Sequence, residues 1–284
     1  MEKTNYKITK PIRLIELFGG VGSQAMALRN IGANFEHYRL IEFDKYPVAS
    51  YNAIHGTDFK PTDITKISAS DLGIVDTNKY EYIMTYSFPC QDLSIAGQLK
   101  GMAKGSGTRS GLLWEVERLL NECEEFPQVL LMENVPLVIG KKNIKDFEQW
   151  QLFLKSKGYS NFVKILNSKD FGNPQGRRRC FMVSILGDYN YEFPEGEPLI
   201  LRMEDLLEDE VDKKYYLFGE YDYKPPLEYS ETDKLIEVGK LKGGKWDKIN
   251  ESCRRLYSPK GIAPTLNTCN GGNHETKILI EETE

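Results

Sequence analysis

The chain has 284 residues, of which 40% are hydrophobic and 11% aromatic, a composition typical of a folded protein with one large domain and room for a smaller one. The formal net charge is −5. The sequence contains no run of roughly eighteen apolar residues, which argues against a membrane span. Its polar, charged start argues against a secretion signal. We therefore expect a cytoplasmic protein without a membrane partner.

The cysteines and histidines argue against a metal or disulfide framework. The five cysteines are scattered, odd in number and without a CxxC pair, which excludes the usual zinc and disulfide patterns. The three histidines show no pairing at helical spacing. We therefore predict no metal site.

Charge is distributed unevenly along the second half of the chain. Residues 188–233 contain fifteen acids and four bases, whereas residues 240–260 contain seven bases and two acids. One interpretation is a solvated surface of uneven charge. The other is a basic contact zone for nucleic acid, beside an acidic surface that faces away from the ligand.

Apolar runs typical of buried strands alternate with helical segments through the first 190 or so residues. The predicted strands are Ile12–Phe18, Tyr38–Asp44, Glu81–Phe88, Gln128–Asn134 and Arg179–Leu186. The predicted helices are 23–32, one that begins at Pro47, 110–123 and one from residue 145 that is closed at Gly158. This alternation predicts an α/β fold with a largely parallel sheet and helices on both faces.

The regular pattern weakens near residue 187, where acids, tyrosines and prolines accumulate. We predict a first domain at 1–187 and a smaller, loop-rich domain at 188–254. Residues 255–284 are predicted to return to the first domain.

A glycine-rich turn follows the first predicted strand. Residues 20–25 read G-x-G-x-x-A, and Glu42 lies twenty residues after Gly22, at the end of the next strand. Glycines allow a ligand to approach the backbone, and an acid at this spacing can hold ribose hydroxyls. The pattern fits a dinucleotide or S-adenosylmethionine; Phe18, whose ring could stack on adenine, favours the latter. Asp63 could meet the adenine amino group, although a helix cap is the commoner role for such an aspartate.

Two reactive side chains follow strands of the predicted sheet. Cys90 comes after one strand and Glu133 ends another, so the topology places both at the carboxyl edge, where ligands bind in such sheets. A nucleophilic cysteine needs an acid–base partner, and a partly desolvated carboxyl can act as an acid. Each residue alone has a commoner structural interpretation, but together they favour catalysis.

Two arginines at the start of the late strand point to an anionic partner. Arg177 and Arg179 are two residues apart and should share one face of the strand. They could hold a phosphate, the Glu133 carboxylate or a base carbonyl. A solvated basic patch is the alternative.

With these motifs in place, the chain resembles the C5-cytosine DNA methyltransferases over almost its whole length. The resemblance is carried, in order, by "ELFGGVGS", "IEFDKYPVASYNAIH", "TDIT", "FPCQDLS", "TRSGLLWE", "MENV", "PQGRRRCFMVSI" and "RLYSPKGIAPTLNT". It implies a Rossmann-like methyltransferase fold, with residues 188–254 as a target-recognition domain. It also implies a bacterial or phage protein, of the kind found in restriction–modification systems.

The resemblance implies a DNA (cytosine-5)-methyltransferase that uses S-adenosylmethionine. Cys90 would attack C6 of a cytosine flipped out of double-stranded DNA at a short specific site. Glu133 would hold N3 and the amino group, and Arg177 and Arg179 would hold the base carbonyl or orient Glu133. Implied cofactor contacts are Phe18, Gly20, Gly22, Glu42, Asp63, Pro89 and Leu112. Implied substrate contacts are Gln91, Ser94 and Asn134.

Four alternatives remain open. One is a protein that binds DNA without methylating it, an alternative weakened by the presence of all the implied catalytic residues. The family's usual last motif has no counterpart after "TKILIEETE", so a second polypeptide could supply it to a subunit of a split methyltransferase. A tRNA-methylating branch is marked by Cys-Phe-Thr, which is absent here, and DNA is therefore favoured. An NAD-dependent oxidoreductase would leave Cys90, Glu133 and the two arginines unexplained.

Overall fold

The computed structural model describes residues 3–93, 100–217, 219–223, 234–266 and 273–280. The chain divides into two compact units. The first comprises Met1–Ile165 and Arg179–Phe193, and the second comprises Leu166–Arg178 and Pro194–Glu284. The predicted catalytic, target-recognition and return segments are functional assignments and stay predictions.

The first unit is organised by a six-stranded sheet. Its strands are β1 (Ile12–Leu17), β2 (Phe35–Ile41), β3 (Glu81–Tyr86), β4 (Val129–Asn134), β5 (Tyr159–Asn167) and β6 (Arg178–Leu186). They are ordered β2-β1-β3-β4-β6-β5. β1 runs parallel to β2 and β3, and β3 parallel to β4, whereas β6 is antiparallel to β4. The predicted mostly parallel sheet is confirmed.

Helices cover both faces of this sheet. They are α1 (Ser23–Asn30), α2 (Lys45–His55), α3 (Ala69–Leu72), α4 (Leu113–Glu122) and α5 (Ile144–Ser156). Alternate residues of the buried strand β3 join different clusters. Met84 packs in the cluster that contains Trp150 of α5, and Ile83 in the one that contains Ala25 of α1. Since neighbouring strand residues point to opposite faces, both faces carry core.

Helix α2 begins earlier than its proline indicated. The Asp44 side chain accepts a hydrogen bond from the Tyr46 N–H at 2.9 Å, so Asp44 is the N-cap and Lys45 the first helical residue. Pro47 is therefore the third residue of the helix, where its missing N–H leaves no intrahelical bond unmade. The predicted start at Pro47 was two residues late.

The second unit is built from short elements. Its strands β7 (Tyr221–Tyr223), β8 (Glu237–Leu241), β9 (Arg255–Tyr257) and β10 (Lys277–Ile278) form a sheet ordered β10-β9-β8-β7. β8 is antiparallel to β7 and β9, and β10 is parallel to β9. A small core forms around Trp246 with apolar residues of β8 and β9. Across the described ranges of both units, no helix has the length and hydropathy needed to cross a membrane.

Candidate active site

The turn after β1 has an unusual backbone. Phe18, Gly20 and Gly22 have φ angles of 56°, 55° and 81°, in the left-handed region. For a bulky residue such as phenylalanine this conformation costs about 1–2 kcal/mol. Backbone strain of this kind persists where the surroundings enforce it, and it clusters at functional sites. The Phe18 N–H is fixed by a 2.7 Å hydrogen bond to the Ile41 carbonyl at the end of β2.

The glycines of this turn are needed for different reasons. A Cβ on Gly22 would overlap the His55 ring and lie 2.6 Å from the Tyr51 ring, so α2 can approach only a glycine. A Cβ on Gly20 would meet no atom within 4 Å. Gly20 therefore serves the turn geometry, and its backbone presents an open side on which a ligand can lie.

Glu42 joins this turn to the start of α2. One carboxylate oxygen accepts from the Gly20 N–H at 3.1 Å, and the other accepts from the Asp44 N–H at 2.9 Å. A carboxylate oxygen has more than one lone pair, so each can accept a further hydrogen bond from a ligand hydroxyl. The predicted ribose-binding residue thus lies against the predicted cofactor turn.

A buried carboxyl lies beneath the same turn. Glu16 of β1 has no exposed surface and accepts a 2.6 Å hydrogen bond from the Tyr51 hydroxyl, which lies 2.8 Å from His37 Nδ1. Burial raises the pKa of Glu16 to about 7, and the Tyr51 hydrogen bond opposes that rise. Tyr51 and His37 were not predicted from the sequence. The spacing of Tyr51 and His55, four residues apart on α2, was an available signal for Tyr51.

Asp63 acts as a helix cap. Its carboxylate accepts from the Thr65 N–H at 3.0 Å and from the Thr65 hydroxyl at 2.8 Å, which lowers the pKa of Asp63. This is the commoner role that the sequence left open. Contact with an adenine amino group stays a prediction.

The segment around Cys90 is fixed by side chains from two other elements. The buried amide of Asn134 donates to the Phe88 carbonyl at 3.0 Å. The buried Ser110 hydroxyl donates to the Pro89 carbonyl at 2.6 Å. Cys90 itself is half-buried, with the backbone before it held on both sides. Ser110, which the sequence analysis did not identify, and Asn134 therefore determine where the thiol lies.

Glu133 and Arg179 form an ion pair across two strands. Arg179 Nε lies 2.9 Å from Glu133 Oε1, and the side chains are 18% and 24% exposed. Glu133 is paired with Phe181 in the antiparallel register, so Arg179 is its diagonal neighbour on the same face. Cys180, buried beside them, has its pKa raised to about 12 by burial and by the Glu133 charge, which makes its thiol inert.

Arg177 lies outside β6, contrary to the prediction that both arginines share one strand. The strand begins at Arg178, because the backbone of Arg177 is engaged in a turn of the second unit: its carbonyl accepts from the Ser168 N–H at 3.0 Å. The Arg177 guanidinium donates to the Leu266 carbonyl at 3.5 Å. The structure thus brings Arg179, within the first unit, to Glu133.

The remaining predicted residues are placed as follows. Leu112 is half-buried at the junction between a 3-10 turn and α4. Gln91 is exposed, one residue after Cys90. Ser94 lies outside the described residues. Within those residues, no three His, Cys, Asp or Glu side chains form a group that could hold a metal ion.

Comparison with known proteins identifies the family. The family model of C-5 cytosine-specific DNA methylases matches residues 12–283. The chain belongs to this family. The resemblance seen in the sequence motifs is therefore confirmed.

Named relatives agree with this assignment. The orphan methyltransferase M.SssI of Spiroplasma monobiae is 33% identical, over 98% of this chain and 84% of the relative. The type II methyltransferase M.HhaI of Haemophilus parahaemolyticus is 31% identical, over 92% of this chain and 75% of the relative. The crystal structure of S. pombe Dnmt2 methyltransferase matches with a TM-score of 0.66 at 20% identity, covering 96% of this chain and 77% of that one. The last comparison confirms the methyltransferase fold.

Proposed function

We propose that this member of the C-5 cytosine-specific DNA methylase family transfers a methyl group from S-adenosylmethionine to C5 of a cytosine in double-stranded DNA. The observation that carries the proposal is the carboxyl edge of the first unit's sheet. There the Cys90 segment follows β3, and the Glu133–Arg179 pair lies at the end of the adjacent strand β4. The target is a cytosine flipped out of the duplex at a short specific site.

The residues of the cofactor turn fit an adenosine-containing group. Phe18 is held in a strained conformation, Gly20 has an open side, and Glu42 lies at the Gly20 N–H with acceptor capacity for ribose hydroxyls. Asp63, Pro89, Leu112 and Gly22 complete the proposed contacts. When bound, S-adenosylmethionine supplies an electrophilic methyl group.

Cys90 acts as the nucleophile. Its thiolate forms an Sγ–C6 bond with the cytosine, and the electron pair of the C5–C6 double bond moves to C5, which can then accept the methyl group. Loss of the C5 proton to a base and cleavage of the Sγ–C6 bond restore the double bond and the thiolate. The covalent adduct divides a difficult carbon alkylation into easier steps.

Glu133 and Arg179 favour this attack by controlling charge on the base. Glu133 holds a proton at N3 and accepts from the cytosine amino group, which makes C6 more electrophilic. Arg179, at 2.9 Å from Glu133, fixes the orientation of the carboxyl. We assign Arg177 to the base carbonyl or DNA backbone, and Gln91, Ser94 and Asn134 to contacts with the flipped base or the DNA.

Residues 188–254 are proposed to recognise the target sequence. In the structure, several basic side chains of residues 240–260 already have acidic partners within the second unit. These pairs are Lys240 with Glu251, Lys242 with Asp222, and Arg254 with Asp247. These pairs support a structural role for part of the charge. A second polypeptide that completes the cofactor pocket stays a prediction.

Transfer of labelled methyl from S-adenosylmethionine to mixed-sequence DNA, and in parallel to tRNA, tests the proposal. We expect label in DNA with the wild-type chain and none with Cys90→Ala. DNA that contains 5-fluorocytosine should trap the wild-type chain covalently, since C5 then has no proton to lose. Label in tRNA alone would overturn the DNA assignment. Label in DNA with Cys90→Ala would overturn the assignment of Cys90 as the nucleophile.

The role of Glu133 is tested by Glu133→Gln. The amide cannot supply a proton to N3, so we expect methyl transfer to fall about 10²- to 10⁴-fold. Glu148→Gln, an exposed carboxyl on α5, is the matched control and should keep full activity. An active Glu133→Gln chain would remove this residue from the mechanism.

A further inference from the structure

Asp92 lies on the nucleophile segment, two residues after Cys90, and it contacts two other parts of the first unit. Its carboxylate oxygen Oδ2 accepts hydrogen bonds from the N–H groups of Arg109, at 2.7 Å, and Ser110, at 3.3 Å. Its backbone carbonyl accepts from the Gly101 N–H at 3.0 Å. One residue thus ties the Cys90 segment to two later points of the chain.

The two N–H groups belong to the start of a helix. Arg109 and Ser110 are the first residues of the 3-10 turn that runs directly into α4. First-turn N–H groups have no partner within their own helix, and the partial positive charge there favours a carboxylate. Hydrogen bonds to a charged acceptor are also stronger than neutral ones. The contact is therefore among the firmer ones that the segment makes.

The same helix start holds the nucleophile segment a second time. The Ser110 hydroxyl donates to the Pro89 carbonyl, immediately before Cys90, while Asp92 is bound immediately after Gln91. Leu112, a proposed cofactor contact, follows two residues later on the same turn. The segment that carries the Cys90 thiol is thus hydrogen-bonded to the turn before α4. Leu112, the proposed wall of the cofactor site, lies on that same turn.

We propose that Asp92 is a positioning residue that fixes Cys90 relative to the cofactor wall formed by Leu112. It does not touch the reacting atoms; it acts through the backbone on either side of Gln91 and through the helix start. This inference rests on the proposed function, because the distance that it controls matters only if Cys90 and the cofactor act on one base. Loss of the tie should misplace the thiol by a fraction of an ångström to about 1 Å, enough to slow a reaction markedly.

Three variants test the proposal. Asp92→Ala removes the acceptor, whereas Asp92→Asn keeps an oxygen that can bind the same N–H groups. Asp71→Ala is the matched control, because Asp71 caps the remote helix α3 by accepting from the Ser68 N–H at 2.8 Å. Each chain is examined for kcat and KM in methyl transfer to DNA, for thermal stability, and for the rate at which iodoacetamide alkylates Cys90, read by peptide mass.

For Asp92→Ala we expect kcat to fall about 10- to 100-fold, with little change in KM, and faster alkylation of Cys90. Asp92→Asn should recover most of the kcat, and Asp71→Ala should lose stability without losing kcat. Should the alanine variant not fold, Asp92→Ser, whose hydroxyl is too short to reach both N–H groups, takes its place with the same expectation.

Wild-type kcat in Asp92→Ala, or an Asp92→Asn chain as slow as Asp92→Ala, would overturn the proposal. So would an equal loss of kcat in Asp71→Ala. The alkylation rates separate this inference from the proposed function. If the wild-type chain transfers no methyl group, the function fails, while unchanged alkylation in Asp92→Ala shows independently that the tie does not hold Cys90.

Discussion

The first unit buries apolar clusters against both faces of a six-stranded sheet, whereas the second surrounds a small core with strands of five residues or fewer. The two units also differ in where their charged side chains lie. The first unit encloses the Glu16 carboxyl completely, whereas several charged side chains of the second lie in partly exposed ion pairs such as Lys240 with Glu251.

This difference indicates two sources of order. In the first unit, apolar burial is extensive enough to hold an ionisable group and a strained Phe18 at the end of β1. In the second unit, where less apolar surface is buried, turns and surface ion pairs define the chain path, and such pairs contribute little each. The strained turn and the buried carboxyl are therefore both found in the first unit.

The largest effect expected from this comparison concerns two tryptophans. Trp150 of α5 is fully buried and donates to the Tyr86 hydroxyl at 3.0 Å, whereas Trp246 packs in the small core of the second unit and is 8% exposed. Trp150→Ala should lower the free energy of unfolding by about 3–5 kcal/mol, because it leaves a cavity and an unpaired buried hydroxyl. Trp246→Ala should cost less, because a small core near the surface can collapse.

Urea unfolding followed by circular dichroism measures both losses. Trp150→Phe, which keeps most of the ring volume, is the control and should recover part of the loss. If Trp246→Ala proved the more damaging variant, the second unit would have to be regarded as the main source of stability.

The second effect concerns the buried carboxyl. Because burial raises the pKa of Glu16 to about 7 from 4.5, the native chain keeps this proton at pH values where the unfolded chain has lost it. Glu16 therefore destabilises the fold progressively as pH rises from about 4.5 to 7, by about 3 kcal/mol at the upper end. Glu16→Gln removes this penalty and can still accept from Tyr51.

Relative to the wild type, Glu16→Gln should gain stability as pH rises through that window, and the two chains should differ little below pH 4.5. Thermal unfolding between pH 4 and pH 8 measures the difference. Glu148→Gln, at an exposed position, should show no comparable trend. A pH-independent difference for Glu16→Gln would mean that the carboxyl is already solvated or paired.

What the sequence predicted follows the same division between the units. Strands such as β1 and β3 are apolar runs whose alternate residues pack on opposite faces, so composition alone identified them. The positions of Cys90 and Glu133 then followed from topology, because parallel strands end at one edge. The turn glycines were recognisable because their spacing is set by the backbone.

The missed features depend on hydrogen bonds and burial that apolar patterns do not reveal. β5 is an edge strand with mostly half-buried side chains, so it lacks a clear apolar pattern and was not predicted. Asp44 caps α2, so the helix begins at Lys45 and not at Pro47. Arg177 lies outside β6 because its backbone is hydrogen-bonded to Ser168, and the spacing of residues in the sequence does not predict that bond.

The smallest effect concerns the surface charges of the second unit. Lys240 and Arg255 alternate with Glu237 and Glu251 in a small network, with Lys240 Nζ 2.8 Å from Glu251 Oε1. Hydrogen bonds and charge from Lys240 and Arg255 lower the pKa of Glu251. The network therefore stabilises the fold above the ordinary glutamate pKa, and that stabilisation is lost as pH falls through the lowered value.

Lys240→Met should lower stability slightly at neutral pH and low salt, and the loss should vanish near 1 M salt, where exposed charges are screened over about 3 Å. A double-mutant cycle with Glu251→Gln, followed by thermal unfolding, isolates the pair from other effects of each substitution. If the coupling persists in high salt, the pair behaves as a buried one, and the second unit resembles the first more than its exposed side chains indicate. If there is no coupling at low salt, Lys240 is available to DNA phosphates, and the same variant should then weaken DNA binding with a shallower salt dependence.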